Sequence, residues 1–386
     1  MTVIEAFERV APAFVESSTG RIAKYPRARW RRWMLRLIAA LPYIALAVWF
    51  DIASHQTWAG TANAELAERV GGIAWNGSGI GVLASLYPPI SSIVALVVPG
   101  GALGLGIVGA LIAGFMLQMV IQALQRKDFH PVARIVFALS LALTPTFAYL
   151  VTTNLQAALG LLFFGLGMID VVRFVTYANT QAGFRAGILF ACSAFSDTTG
   201  LPAAVVAAVA GALIIQSRRG ARLANAVVLV FPTLALLGAL ALLGVAFGAG
   251  PFAMVHGNLT WDPVRAATYV DSLGGLRGLV YLSSTLIVVL TAVLLRHARV
   301  GLVAVLLTAM IGLAFIVGLT PPGFAGNNYV MMLLLAVAIV PTPKSRVQAV
   351  LTVCVSLALW TIGWINAFQQ PAISHWIHVL TNGGAS

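Results

Sequence analysis

Residues 102–127 read ALGLGIVGALIAGFMLQMVIQALQRK, and this stretch decides the fold class. Its first 24 residues carry no charge, and the stretch ends on the basic pair Arg126 and Lys127. A helix needs about 20 apolar residues to cross a hydrocarbon layer of roughly 30 Å. Because backbone polar groups must be paired inside that layer, an apolar run of this length predicts a transmembrane helix.

The composition extends this interpretation to the whole chain. Hydrophobic residues make up 60% of the 386 residues and charged residues only 9%, and the mean hydropathy is +0.95. Soluble domains carry roughly 25% charged residues. The apolar runs are long and unbroken, which predicts an all-α polytopic membrane protein rather than a β-barrel. The formal charge of +12 is attributed to cytoplasmic loops facing anionic lipid, and no nucleic-acid partner is expected.

Eleven stretches have the length and apolar character of candidate spans. They are residues 34–50, 102–125, 132–151, 155–175, 184–197, 200–216, 221–248, 278–296, 300–318, 327–342 and 347–368. The apolar run 90–98 is too short to cross, so residues 87–101 are not counted as a span. Residues 184–216 form either one helix pair, broken at 196–200, or a re-entrant hairpin.

The placement of the basic residues sets the predicted orientation. With a cytoplasmic N-terminus and eleven alternating spans, 20 of the 23 Lys and Arg residues fall on the cytoplasmic side. Only Arg69, Arg265 and Arg277 fall outside, which is the split that the positive-inside rule predicts. We therefore expect a multi-pass protein of a bacterial inner membrane with an external C-terminus.

This topology divides the chain into three parts. Residues 1–33 form a cytoplasmic basic-aromatic segment, residues 34–368 form the transmembrane domain, and residues 369–386 form an external tail. Two external loops, 51–101 and 249–277, are long enough to carry a site. In the first loop, the spacing of apolar and charged residues over 60–75 predicts a helix that lies on the outer surface.

Polar groups near the outer face are scarce, so the few acids there are candidate functional residues. Asp51 ends the first span and could act as a general base for a hydroxyl group or as a metal ligand. Alternatively, Asp51 is an ordinary interfacial residue at a helix end. Asp197 lies between two apolar runs and could contact an ion, a hydroxyl or a phosphate-bound metal. Alternatively, Asp197 is the N-cap of the following helix.

The second external loop and a late span supply the remaining candidates. The loop contains His256, Arg265, Tyr269 and Arg277 among other polar and aromatic residues. A guanidinium suits a phosphate because its planar fork donates two hydrogen bonds, and aromatic faces suit a sugar ring or a lipid headgroup. Alternatively, most of these loop residues are ordinary surface residues. The late span opens with three polar residues that could bind a polar ligand or cap the helix, namely Asn327, Asn328 and Tyr329.

The order of these parts resembles the GT-C superfamily of integral membrane glycosyltransferases, and most closely its polyprenyl-phosphate-mannose-dependent branch. In both, a first span ends near an acid and is followed by a long external loop with surface helices. The most specific piece is Tyr87-Pro88-Pro89, within SLYPPISSIVALVVPGG before the second span. The closely spaced spans that include residues 152–170 and 187–213 resemble the same pattern, as does the late span opening with Asn-Asn-Tyr.

The resemblance implies transfer of a sugar from a polyprenyl-phosphate donor to a lipid, glycan or protein acceptor on the outer face. It implies that Asp51 activates the acceptor hydroxyl and that Arg265 or Arg277 holds the donor phosphate. The candidate substrate-binding residues are Tyr87, Asp197, His256, Arg265, Tyr269, Arg277, Asn327, Asn328 and Tyr329. A divalent Mg²⁺ or Mn²⁺ could assist. The expected partners are the lipid-linked sugar, membrane lipid and, as an open alternative, other membrane subunits.

Two other functions remain open from the sequence. The family often has a second acid next to the first, but here Ile52 and Ala53 follow Asp51. That departure favours a non-catalytic GT-C-like subunit of a membrane complex. A transporter or flippase for a lipid-linked or small polar substrate would need polar groups at mid-span, and the sequence offers few besides Asp197.

Overall fold

The structure is a computed structural model, and it describes most of the chain. The described residues are 24–73, 86–124, 131–177, 179–214, 222–247, 250–251, 261–294, 298–320, 324–339 and 345–382. Every regular element in these ranges is an α-helix. This confirms the all-α class that the long apolar runs predict.

Sixteen helices lie within the described ranges. They are α1 (Arg29–Ala53), α2 (Ala62–Gly71), α3 (Pro89–Val97), α4 (Gly101–Leu124), α5 (Pro131–Ala142), α6 (Pro145–Thr153), α7 (Leu155–Tyr177), α8 (Thr180–Ala194), α9 (Gly200–Ile214), α10 (Arg222–Ala246), α11 (Pro263–Leu273), α12 (Gly275–Leu294), α13 (Ala298–Ile316), α14 (Phe324–Ile339), α15 (Arg346–Gln369) and α16 (Pro371–Asn382).

Seven of the described helices are long and apolar enough to cross a membrane, namely α1, α4, α7, α10, α12, α13 and α15. The pair α5 and α6 raises the number to eight if it is one bent span. The chain is therefore a polytopic helical protein of membrane type. Helices α8, α9 and α14 coincide with predicted spans but have only 15, 15 and 16 residues, so the count of eleven spans stays a prediction.

The predicted span 132–151 is bent by 53° between α5 and α6. Pro145 begins α6, and a proline disfavours the helical conformation of the residue before it. Thr144 accordingly has ψ of 124°, which is extended backbone. Its hydroxyl group donates a hydrogen bond to the carbonyl of Ser140, so this carbonyl keeps a hydrogen-bond partner at the broken turn. The bend is thus a local consequence of one proline.

Two short helices, α2 and α3, separate the first two long helices, and α2 lies within residues 60–75, where the sequence predicts a helix. Thr61 caps α2 by accepting a hydrogen bond from the Ala64 N–H. Leu66 and Val70 on its buried face pack in one cluster with Leu155 of α7. Helix α3 has nine residues, and at about 1.5 Å per residue it is too short to cross a bilayer. The structure therefore agrees with leaving residues 87–101 out of the spans.

The C-terminal tail forms an amphipathic helix, α16, which the sequence analysis did not predict. Ile373, Trp376 and Val379 are buried along one face, whereas His375 and His378 are exposed. The indole of Trp49 in α1 donates to the Leu380 carbonyl at 2.9 Å. Helix α16 therefore packs at the end of the bundle where α1 finishes, which we call the Asp51 end.

Candidate functional site

Asp51 lies in the last turn of α1, and the loop that follows holds its carboxylate. The Trp58 indole donates a hydrogen bond to Asp51 Oδ1 at 2.7 Å. The chain returns to this position because His55 and Gln56 both adopt positive φ, which reverses its direction within a few residues. Trp58 is buried, and its ring packs edge-on against Phe50 with centroids 5.0 Å apart.

This arrangement leaves part of the Asp51 carboxylate available. The residue is half-buried, and no other described residue donates a hydrogen bond to its side chain. A carboxylate with one oxygen oriented by an indole and the other open can accept a proton from a hydroxyl group placed against it. Trp58, which orients the Asp51 carboxylate, was not among the predicted site residues, and the sequence carries no signal for that hydrogen bond.

A second polar cluster forms where the chain breaks between α8 and α9. Asp197 Oδ2 accepts hydrogen bonds from the Thr199 N–H at 3.1 Å, from the Thr199 hydroxyl and from Asn327 Nδ2 at 2.9 Å. The Asn327 amide also donates to Thr199 Oγ1 at 3.0 Å. All three residues are buried. The cluster joins the break to the first turn of α14, and both Asp197 and Asn327 were predicted site residues.

Tyr87 lies against the same break. The Ile90 N–H donates to the Phe195 carbonyl at 2.9 Å, and the rings of Tyr87 and Phe195 meet edge-on at 6.3 Å. Burial, followed by the negative charge of Asp197, raises the pKa of Tyr87 to about 12. Its phenol therefore stays protonated at neutral pH and keeps its hydroxyl hydrogen. The structure thus brings together three residues that the sequence analysis chose separately, namely Tyr87, Asp197 and Asn327.

Arg69 on α2 also turns toward the protein. One of its terminal nitrogens lies 3.5 Å from the hydroxyl of buried Ser92 in α3. Burial lowers the pKa of Arg69, and the neighbouring Glu65 charge opposes this shift. Its Nε is buried without a hydrogen-bond partner among the described residues. Arg69 therefore ties the two short helices together rather than standing free in solvent.

A cavity of about 240 Å³ opens between α11, α12, α13, α14 and α15. Its lining combines one guanidinium, three carboxamides, several hydroxyls and aromatic faces, from Thr268, Tyr269, Ser272, Arg277, Tyr281, Phe315, Phe324, Ala325, Asn366, Gln369 and Gln370. The set contains no carboxylate. A cation, amide groups and aromatic faces are chemically suited to a phosphorylated or hydroxyl-rich ligand.

The aromatic wall of this cavity is continuous. The Phe324 ring has its centroid 5.0 Å from that of Phe315, 6.2 Å from that of Tyr269 and 6.1 Å from that of Tyr281. The Tyr281 hydroxyl is buried. Burial raises the pKa of Tyr269. The wall therefore offers flat apolar faces with neutral hydroxyl groups at their edges.

The cavity and Asp51 belong to the same end of the bundle. Gln369 and Gln370 in the lining directly precede α16, and α16 packs against Trp49 of α1 and Tyr149 of α6. Helix α14 links the cavity to the buried cluster, because Phe324 lines the cavity and Asn327 contacts Asp197. Three polar features thus share the Asp51 end.

The remaining predicted site residues lie elsewhere or act within the packing. Arg265 is paired with Asp262 at 3.7 Å and does not line the cavity. Asn328 accepts a hydrogen bond from Thr308 at 3.3 Å. The hydroxyl of buried Tyr329 donates to the Leu359 carbonyl at 2.6 Å. His256 lies outside the described residues.

The described residues do not provide the set of donor groups that a resident metal ion needs. Among the residues that the structure describes, no three His, Cys, Asp or Glu side chains come close enough to share a metal ion. Asp51 supplies one carboxylate whose Oδ1 already accepts from Trp58. These residues do not form a cage for Mg²⁺ or Mn²⁺, which prefer several oxygen ligands.

Comparisons of this chain with protein-family models, with curated proteins and with solved structures found no match. The sequence resemblance to GT-C glycosyltransferases consequently remains an expectation about activity.

Proposed function

We propose that this protein is a membrane glycosyltransferase that moves a sugar from a polyprenyl-phosphate donor to a hydroxyl-bearing acceptor at the Asp51 end. The observation that carries the proposal is the half-buried Asp51 carboxylate, oriented by Trp58 at the end of a membrane-type helix. Two short helices that do not cross follow it before the next long helix, which is the arrangement that the GT-C resemblance implies.

The proposed chemistry needs one base and one anion-stabilising group. The acceptor oxygen attacks the anomeric carbon of the sugar, and the bond from that carbon to the phosphate oxygen breaks. The Asp51 carboxylate takes the hydroxyl proton, and the polyprenyl phosphate departs with the bonding electrons. Because a phosphate is a good leaving group, a positioned base and a cation near the departing oxygen are sufficient in principle.

Arg277 is the cation that we assign to the donor phosphate, because it lines the cavity with Tyr269 and three carboxamides. Replacing Arg277 with glutamine is expected to raise the KM for the donor about tenfold or more, since a charge-assisted hydrogen bond is lost. Steady-state kinetics with varied donor concentration measure this effect. Arg265→Gln is the matched control and should leave KM unchanged. Equal effects of both substitutions would contradict the assignment.

The alternative transport function depends on a polar group that is free to bind a substrate inside the bundle. Asp197 is the candidate for that role, but three donors from Thr199 and Asn327 engage its Oδ2 atom. A carboxylate whose oxygen already accepts three hydrogen bonds is better suited to fixing the break between α8 and α9 than to binding a substrate. We therefore place transport second to sugar transfer.

Turnover of lipid-linked sugars by the purified protein tests the proposed function. The full chain in lipid nanodiscs is offered a panel of radiolabelled polyprenyl-phosphate sugars together with a membrane lipid extract as acceptor. We expect acceptor-dependent release of polyprenyl phosphate from at least one donor. Proteoliposome flux of the same compounds is measured in parallel. Flux without turnover would overturn the proposal in favour of transport, and binding without turnover would favour a non-catalytic subunit.

A further inference from the structure

Two arginines converge on one buried acid at the opposite end of the bundle. Arg173 Nη1 lies 2.6 Å from Asp170 Oδ1, and Arg185 Nη2 lies 3.0 Å from Asp170 Oδ2. The acid and Arg173 belong to α7, whereas Arg185 belongs to α8. The sequence predicts the pair of Asp170 and Arg173 from their i, i+3 spacing. The contribution of Arg185 has no local sequence signal.

The position of this group along the bundle follows from α7. This helix begins at Leu155, whose N–H donates to Asn63 of α2 at 2.7 Å, close to the Asp51 end. Asp170 follows fifteen residues later, and at about 1.5 Å per residue it lies roughly 22 Å farther along the helix. The Asp170 group therefore lies near the other membrane boundary and is separate from the site proposed for sugar transfer.

The charges of this group do not balance among the described residues. Two guanidinium groups face one carboxylate, which leaves an excess positive charge, and the Arg173 side chain is 10% exposed. The Arg173 Nε is buried and has no hydrogen-bond partner in the described part of the chain. One carboxylate cannot neutralise both guanidinium groups, and a second anion placed here would complete the charge pairing.

The surroundings of Arg185 indicate where such an anion would lie. Its side chain is 56% exposed, so its guanidinium has free donors besides the one directed at Asp170. Phe184 and Ile188 on the same helix are also exposed, at 47% and 41%. In a membrane protein, an exposed apolar stripe of this kind faces lipid tails. Arg185 thus stands where a lipid headgroup can reach it while the acyl chains run along the stripe.

We propose that Arg173 and Arg185 form a binding site for a phosphate group, supplied by an anionic phospholipid headgroup or by free phosphate. Asp170 holds the two guanidinium groups side by side, and the bound phosphate completes the charge balance. The planar forks of arginine suit this ligand because each can donate two parallel hydrogen bonds. The site does not depend on the proposed sugar transfer, since it lies at the opposite end and uses other residues.

Lipid-dependent thermal stability of the full chain tests this site. Purified wild type, Arg185→Gln and Arg185→Lys are melted in mild detergent with added phosphatidylglycerol, phosphatidylcholine or inorganic phosphate. Arg222→Gln is the matched control, because Arg222 is an exposed arginine that begins α10 after α9 has returned to this end. Native mass spectrometry of the same samples gives the retained lipid and its apparent affinity.

We expect phosphatidylglycerol, but not phosphatidylcholine, to stabilise the wild type, and Arg185→Gln to bind it at least about tenfold more weakly. Arg185→Lys should lose part of the affinity, because it keeps the charge without the fork. Stabilisation by inorganic phosphate as well as by phosphatidylglycerol would support the site and show that free phosphate can supply the bound phosphate group. Equal losses in Arg185→Gln and Arg222→Gln, or no loss in either, would overturn the proposal.

Discussion

Replacing Asp51 with asparagine is expected to slow sugar transfer by at least about 100-fold, the usual contribution of a general base. Asparagine has nearly the same shape, and its amide oxygen can still accept the hydrogen bond that Trp58 donates at 2.7 Å. The fold at the end of α1 should therefore persist, whereas the ability to take a proton from the acceptor is lost. Initial rates of radiolabel transfer in nanodiscs, at saturating donor, measure the effect.

Two further variants test whether the loss of rate is specific to the Asp51 carboxylate. Asp271→Asn removes another carboxylate, which is exposed on α11, and should leave the rate unchanged. Trp58→Phe keeps the Asp51 carboxylate but removes its indole partner, so we expect a partial loss of rate with unchanged donor binding. Wild-type rates in Asp51→Asn would contradict the role of Asp51 as the base.

The second large effect concerns stability rather than rate. Asp197→Ala is expected to lower the free energy of unfolding by about 2–4 kcal/mol, because it leaves buried donors without an acceptor. The affected donors are the N–H and hydroxyl of Thr199 and the amide of Asn327. The loss should be large because this one carboxylate connects the break between α8 and α9 to the start of α14.

Equilibrium unfolding in mixed detergent micelles, followed by helix content, measures the change. Asp197→Asn is the informative comparison, since its amide oxygen can still accept from Asn327 and Thr199, and it should cost less than Asp197→Ala. Asp271→Ala should have little effect because Asp271 is exposed. If Asp197→Ala were as stable as the wild type, the hydrogen bonds of the cluster would not be holding these helices together.

Much of the helical architecture could be predicted from the sequence because hydrophobicity and charge act locally along the chain. A run such as 102–125 must be helical to satisfy its backbone in lipid, and α4 occupies nearly that range. The same reasoning identified a short helix within residues 60–75 and excluded 87–101 as a span. Asp51 was recognisable because an acid at the end of an apolar run is rare.

The candidate site could be predicted only in part, because its contacts join distant segments. Asp197 and Asn327 are 130 positions apart, and no local pattern indicates that they share a hydrogen bond. The cavity draws on five helices, so the sequence could single out Tyr269 and Arg277 but not the carboxamides of Asn366 and Gln370. These pairings depend on how the helices pack, which hydropathy does not encode.

The C-terminal tail carries a local helix signal in its sequence. Pro371 begins a new helix after α15, and the spacing of Ile373, Trp376, Ile377 and Leu380 has the period of an amphipathic helix. From its sequence the tail is expected only to be an external segment, and no helix is predicted for it. Its helix packs on α1 and α6 through Trp49 and aromatic contacts, which brings it to the Asp51 end.

Photo-crosslinking with a polyprenyl-phosphate sugar that carries a diazirine on the sugar tests the central claim most directly, because it reports where the donor binds. The purified chain in nanodiscs is irradiated with and without excess unlabelled donor, and the labelled peptides are identified by mass spectrometry. We predict competed labelling at the Asp51 end, in peptides that contain Trp58 or that line the Arg277 cavity. Competed labelling confined to the opposite end, around Arg173 and Arg185, would contradict the proposal.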